Sequence, residues 1–332
     1  MKISVLPYAI KYYFPWLIVF KRKLYFLLKG KDLSEKRPQK ANSRYCYSLW
    51  LRHLSILNEN GLDVNPSIIA ELGPGDSIGV GLMALLTGSK KYCALDVTKH
   101  TNLKQNAVLV DELTALLQSG TDIPNDEEFP RVNPRLKSYN FPSKIITEQR
   151  MLDQLSKERL SGLKYNLLHN EDVNEDSSAI QYFCPWSDSG VIDEGSVDMI
   201  FSQAVLEHVD DLTETYKAMH LWLKNGGVMS HQIDFKSHST SKKWNGHWAY
   251  SDYEWKIVNG GGSHLINREP LSTHIELLND NDFNILSVIP VKNFPSDKYN
   301  GSIHRGELAK KFKGLSNDDF STCGAHILAI KN

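Results

Sequence analysis

The sequence predicts an α/β chain built on a doubly wound parallel sheet, and three stretches predict it. Residues 68–96 (IIAELGPGDSIGVGLMALLTGSKKYCALD) hold an apolar run, a turn with Gly73 and Gly75, a helix-like stretch from Ile78 to Leu86 and a short strand from Tyr92 to Leu95. Residues 197–202 (VDMIFS) are apolar enough for a central strand buried on both faces. Ala204 to Leu223 has helical apolar spacing and runs into Asn225-Gly226-Gly227, residues that tolerate positive φ, before a strand-like Val228 to Phe235.

Strand, glycine turn, helix and second strand form the opening unit of a nucleotide-binding sheet. Gly73 and Gly75 leave the turn without side chains, so a ligand can lie against the backbone. Asp96 follows Gly75 by 21 residues, where an acid accepts hydrogen bonds from both hydroxyls of a ribose. A dinucleotide turn has three glycines spaced G-x-G-x-x-G, and here the third, Gly79, falls one place late. Asp76 at the expected helix start would repel a pyrophosphate. Glu71 and Asp76 suit a ligand without phosphate that carries a sulfonium and an ammonium group, as S-adenosylmethionine does. Asp76 also stands where an acid caps a helix, and both roles can hold together.

ELGPGD (71–76) followed by ALD (94–96) resembles the first two signatures of class I S-adenosylmethionine-dependent methyltransferases. SVDMIFSQAVLEHVDDL (196–212) resembles their fourth-strand segment. LKNGGVMSHQID (223–234) resembles their LKPGG turn into the fifth strand, with Asn225 in place of proline. The resemblance covers residues 66–100 and 178–235. It implies a Rossmann-like sheet whose antiparallel end is made by Phe283–Val291 and Ala325–Ile330. It also implies S-adenosyl-L-methionine as cofactor, held by Glu71, Leu72, Gly73, Pro74, Gly75, Asp76, Asp96 and Val97, with Ser202 and Gln203 near the methyl group. The family carries an acid after the third strand for the adenine, and Gln181 to Trp186 offers none. Either backbone groups at Pro185 with the Trp186 ring hold the adenine, or Asp188 does so from farther along.

At 332 residues and 37.7 kDa the chain can bury a full core. A net charge of −1 gives no pull toward nucleic acid or acidic substrates. The expectation of a small-molecule or carbohydrate acceptor rests, for the carbohydrate, on the aromatic-rich 236–268 and on membrane contact of the N-terminal segment. Cys46, Cys93, Cys184 and Cys323 have no paired spacing, which points to reduced thiols in a cytoplasm and away from a structural zinc site. Residues 1–43 form a separate segment. Before Asp32 it has no acid, and its lysines and Arg22 are interleaved with aromatic residues. Prolines and lysines break the apolar stretch too often for a signal peptide or a membrane span. Residues 1–31 therefore read either as a peripheral contact with the inner face of the membrane or as helices packed on the domain. Residues 32–43 are linker-like.

The methyltransferase domain is expected over 44–332, opening with an amphipathic helix, Arg44 to Leu57, that covers the cofactor site. An insertion, 100–177, separates the second strand from the third, which begins near Ala179. Leu103–Leu117 and Ile145–Leu168 are helical in pattern, joined by the proline-bearing 123–142. An insertion at the carboxyl edge of a parallel sheet stands over the ligand site, so a helical cap walling the acceptor pocket is expected. A surface elaboration or dimer contact is the alternative. Residues 236–268 are a second expected cover: their tryptophans and tyrosines suit stacking on a sugar or aromatic acceptor, or an ordinary packed lid.

Methyl transfer needs alignment of acceptor and methyl group, and a general base only if the acceptor loses a proton. His208, beside Glu207, is an orienting or structural residue. His231 and Asp234, at the end of the fifth strand, read either as an imidazole suited to base work with a carboxylate to fix its tautomer or as satisfied structural residues. Metal ligation by His231, Asp234 and His238 is disfavoured, because strand alternation points 231 and 234 to opposite faces. No metal is therefore expected. The reading is transfer of a methyl group to a small-molecule or glycan-linked acceptor, hydroxyls included. A non-catalytic cofactor-binding module and an NAD-dependent oxidoreductase are the alternatives.

Overall fold

Seven strands form one sheet in the order β3-β2-β1-β4-β5-β7-β6. The computed structural model describes residues 5–13, 42–99, 101–169, 178–186, 188–260, 266–292 and 299–332. Expectations for most of the basic N-terminal segment, its linker, and Gly261 and Gly262 lie outside the described residues. The strands are β1 (Ile68–Leu72), β2 (Lys91–Leu95), β3 (Ile180–Phe183), β4 (Val197–Gln203), β5 (Leu223–Asp234), β6 (Phe283–Lys292) and β7 (Thr322–Lys331). Strands β1 to β5 pair in parallel, and β7 runs antiparallel to both β5 and β6. The doubly wound sheet with its antiparallel end is thus the fold.

Helices cover both faces. On one lie α2 (Ser43–Glu59), α3 (Gly79–Leu86) and α4 (Leu103–Gln118), with Trp50, Leu54 and Leu82 fully buried against Ile69, Tyr92 and Phe201. A Cβ on Gly81 would stand 2.2 Å from the Tyr92 ring, so α3 can lie this close to β2 only without a side chain there. On the other face lie α7 (Leu212–Trp222) and α9 (Leu271–Asp280), with Trp222, Met219 and Leu278 against Ile200, Met229 and Ala329. Each large apolar side chain so buried contributes about 1.5–3 kcal/mol of transfer free energy.

Two expected helices are shorter than their patterns. The helix expected from Ala204 begins only at Leu212, because Ala204 takes a positive φ and Asp211 caps the new start by accepting from Glu214 N at 3.0 Å. Asn225-Gly226-Gly227 consequently falls inside β5, after a helix that ends at Trp222. Ile145–Leu168 holds two helices, α5 (Glu148–Gln154) and α6 (Lys157–His169). Thr147 Oγ1 caps the first, and Ser156 Oγ accepts from Arg159 N at the second.

The insertion runs along the flank of the sheet. Arg52 of α2, fully buried, donates to the carbonyls of Pro124, Val132 and Pro134 and lies over the Tyr139 ring. Arg150 and Arg159 donate to carbonyls of Thr87, Leu85 and Ser89 at the far end of α3. That end faces away from the carboxyl edge of the sheet, where α3 starts.

The aromatic segment is packed rather than open. Trp244 and Trp248 are buried with Phe312 and Leu308, and Trp248 Nε1 donates to Arg268 O at 2.9 Å. Tyr250 and Trp255 are buried with Val5 and Ala9, so α1 (Leu6–Tyr13) docks beside α8 (Asp252–Asn259). Tyr8 Oη reaches Ser239 O at 3.1 Å. This packing holds for the described part of the N-terminal segment. No helix among the described residues is long and apolar enough to cross a membrane.

Candidate active site

The carboxyl ends of β1, β2 and β4 open into a cavity of about 800 Å³, where ligands bind in open α/β sheets. Its floor is the turn after β1. Gly73 and Gly75 both have positive φ, +62° and +66°, which L side chains rarely adopt. A Cβ on Gly73 would also stand 2.7 Å from both Val205 methyls, so the turn and the segment after β4 meet only because that side chain is missing. Asp96 at the end of β2 ties the turn down: Oδ2 accepts from Gly75 N at 3.2 Å and Oδ1 from Val97 N at 2.8 Å. It lines the cavity while remaining almost wholly buried. Oδ1 also accepts from Thr98 N at 3.4 Å, and Oδ2 keeps a lone pair for a ligand hydroxyl.

Of the residues expected to hold the cofactor, Leu72, Gly73, Gly75, Asp96, Val97 and Trp186 line the cavity. Trp186 is set by its own N–H donating to Asp96 O and by edge contact with Trp222. Asp188 lines the cavity too, so ring and acid border the same space. The remaining expected residues lie elsewhere. Glu71 is buried against α3, accepting from Tyr92 Oη at 2.6 Å, and burial pushes its carboxyl up to about 8. Asp76 is exposed, and α3 starts after Ile78 with no side-chain cap, so Asp76 caps nothing. Pro74 and Pro185 are not among the lining residues. Ser202 is fully buried, and Gln203 Nε2 donates to Asn133 O of the insertion at 3.3 Å. None of the insertion's described residues lines this cavity, and neither does any of α2 or any described residue of the aromatic segment.

The two expected catalytic histidines part company. His208 lines the cavity, on a 3₁₀ turn, Leu206–His208. Asn267 clamps that turn: its side chain donates to the carbonyls of Leu206 and Val209, and its N–H donates to Glu207 O. His231 points into the protein, hydrogen-bonded through Nδ1 to Ser202 Oγ at 2.7 Å. Burial, with the neighbouring His53 and His274, pushes its imidazole down to about 3. Asp234 does not line the cavity and is not a partner of His231. Its Oδ2 lies 3.3 Å from His238 Nε2 and 3.1 Å from Lys236 Nζ. Burial raises the Asp234 carboxyl, but the contact with His238 and the charge of Lys236 hold it below its usual range.

What the sequence reading missed is the acidic wall. Asp210, Asp211 and Glu214 line the cavity with Asp96 and Asp188, and no lysine or arginine does so among the described residues. The signal was present in EHVDDLTE, with four acids in eight residues directly after β4. Such a cavity attracts a cationic ligand and repels a pyrophosphate.

A family model described as a methyltransferase domain matches residues 169–230, which run from the end of α6 through the first part of β5. The matched segment, under a fifth of the chain, is similar to a methyltransferase domain. No curated protein sequence matches the chain. Among solved structures it is similar to a provisionally assigned sarcosine dimethylglycine methyltransferase from Galdieria sulphuraria. That pair shares 14% identity at a TM-score of 0.44, over 94% of this chain and 98% of the other. It is also similar to an S-adenosylmethionine-dependent methyltransferase from Mesorhizobium loti, at 13% identity and a TM-score of 0.40, over 83% and 96% of the two chains. A geranyl diphosphate C-methyltransferase from Streptomyces coelicolor is similar at 12% identity and a TM-score of 0.40, over 84% and 77%.

Proposed function

We propose that the chain transfers the methyl group of S-adenosylmethionine to a hydroxyl of a small-molecule or glycan-linked acceptor. One observation carries the placement of the donor: an acidic cavity, free of lysine and arginine among its described lining residues, on a glycine turn tied to Asp96. The ribose hydroxyls go to Asp96, the adenine toward Trp186 and Asp188, and the sulfonium and ammonium groups toward the acidic wall. About 800 Å³ is within the range of small-molecule sites, roughly 300–1,000 Å³, and leaves space beside the cofactor for a compact acceptor.

In the reaction the acceptor oxygen forms a bond to the methyl carbon as the carbon–sulfur bond breaks. The electron pair passes to sulfur and S-adenosylhomocysteine leaves. A hydroxyl gives up its proton in this step, and His208 is the imidazole lining the cavity where that proton can be received. His231, enclosed by the core, has no part in this reading. Contact of residues 1–31 with a membrane surface remains compatible with it, with α1 anchored beside α8.

Calorimetric titration with S-adenosylhomocysteine and with NAD tests the donor. The expected result is one saturable site for the former and no heat for the latter. Binding of NAD alone would replace this reading with that of an oxidoreductase.

A further inference from the structure

Beside the cavity, and outside its lining except for His208, a second group of side chains converges. Glu207 and His208 come from the 3₁₀ turn after β4, and His238 from the loop after β5. One ligand atom from each of the three lies within 4.8 Å of the others. Asp234 adds a fourth oxygen, 3.3 Å from His238 Nε2.

Glu207 is what makes this more than a surface cluster. Its side chain is 3% exposed, and although the backbone N–H groups of Glu207 and Asp234 face the carboxylate, neither oxygen is in a hydrogen bond of good geometry and no side chain donates to it. An unpartnered buried acid costs several kcal/mol if charged, so such a group is ordinarily paired or bound to a cation. The nearest basic atom in an ion pair with it is His238 Nε2, at 4.0 Å. Lys236 is held by Asp234 instead, at 3.1 Å. The backbone holds the site open at a price: His238 and the following Ser239 have φ of +44° and +69°, a conformation non-glycine residues seldom take. The His208 and His238 rings meet edge to face at 4.9 Å, so both imidazoles border the same small space as the acid.

We propose that Glu207, His208 and His238 form a binding site for one divalent transition-metal ion. Two imidazoles and one carboxylate suit zinc, cobalt or iron and leave positions open for further ligands. In a tetrahedral set with bonds near 2.0–2.1 Å the ligand atoms sit about 3.4 Å apart, so the three groups must close by roughly an ångström on binding. His238, partly exposed on a loop, is the one with room to swing. An ion here reaches the cavity through His208. The ion would occupy the His208 nitrogen, so if the methyl-transfer reading holds, the metal-loaded protein would use the ion in place of the His208 imidazole to draw in a hydroxyl acceptor and ease loss of its proton. The site itself does not rest on that reading, because metal binding is measured without methyl donor or acceptor.

The test is equilibrium dialysis of the full-length, EDTA-treated protein against Zn²⁺ and, separately, Co²⁺, with bound metal quantified. Wild type is expected to retain one equivalent. His238→Ala, an accessible loop position, is expected to weaken retention at least tenfold. Glu207→Gln should do the same while keeping the side-chain shape. His169→Ala, at the end of α6, should bind as wild type does. Wild-type protein that retains no ion, or His238→Ala protein that binds as tightly as wild type, overturns the proposal. S-adenosylhomocysteine titration of the same samples reports separately on the cofactor site.

Discussion

Two groups of histidines flank the carboxyl half of β4 and β5, and their surroundings differ in kind. In the inner group, His53 and His326 share the Ser230 hydroxyl at 2.7 and 2.9 Å, His231 bonds Ser202, and His274 bonds Tyr216 at 3.0 Å. All four are buried, with imidazoles held down by desolvation: His53 to about 4, His231 and His274 to about 3, and His326 well below its ordinary value. The outer pair, His208 and His238, stands at the rim among Asp234, Glu207 and the cavity. The difference teaches that proximity to the catalytic edge does not assign a role. A neutral imidazole tied through one nitrogen to a hydroxyl inside the core is architecture; one facing the cavity is available to a substrate.

The largest effect that can break this division comes from exchanging the two roles by mutation. His208→Ala is expected to lower S-adenosylhomocysteine formation, measured with cell extract as the acceptor source, by roughly 100-fold, a typical contribution of acid–base chemistry. Its stability and cofactor affinity should stay near those of wild type. His231→Ala is expected to do the reverse. It leaves the Ser202 hydroxyl without a partner beside a new cavity and costs roughly 2–4 kcal/mol of stability. Turnover per folded molecule should change by less than about threefold. If His231→Ala keeps its stability and loses turnover, the inner group has been misread.

A smaller effect sharpens the same contrast through pH. The four inner histidines are neutral in the fold, whereas in the unfolded chain they bind protons below about 6.5. The stability they permit above that value is lost as pH falls toward 4. Glu71, raised to about 8, and Glu207, raised well above the usual range by burial and the nearby Asp234, act in the opposite sense. They keep protons in the fold that the unfolded chain releases above about 4.5, so their contribution is full below 4.5 and lost as pH rises. Four groups outweigh two between 6.5 and 4.5, at about 1.4 kcal/mol per pH unit for each net proton. The urea midpoint should therefore be lower at pH 5 than at pH 7. An unchanged midpoint would mean that the inner histidines do not stay neutral.

Much of the fold was legible because it was written in runs and turns. Ile68–Leu72, Val197–Gln203 and the two C-terminal strands are apolar segments of strand length, and Gly73 and Gly75 take the positive φ that their spacing implied. Asp96 was legible for the same reason, at a fixed distance from the turn. The catalytic face of β5 was not. Both faces of that strand are covered by helices, so alternation says that residues 231 and 234 diverge without saying which one meets the cavity. Composition could not separate the packed Trp244 and Trp248 from an open stacking platform, since both uses want aromatic rings. The course of 100–177 was hidden because it depends on three arginines gripping distant carbonyls, Arg52, Arg150 and Arg159. Glu207 was read as one of an orienting pair on a helix, and only the 3₁₀ turn held by Asn267 reveals it as a buried acid.

Co-crystallisation with S-adenosylhomocysteine tests the central claim most directly. The account predicts both ribose hydroxyls within hydrogen-bond distance of the Asp96 carboxylate, the adenine beside Trp186, and the sulfur on the side of His208. A ligand bound away from the Gly73–Gly75 turn, or a ribose that leaves Asp96 untouched, would contradict it.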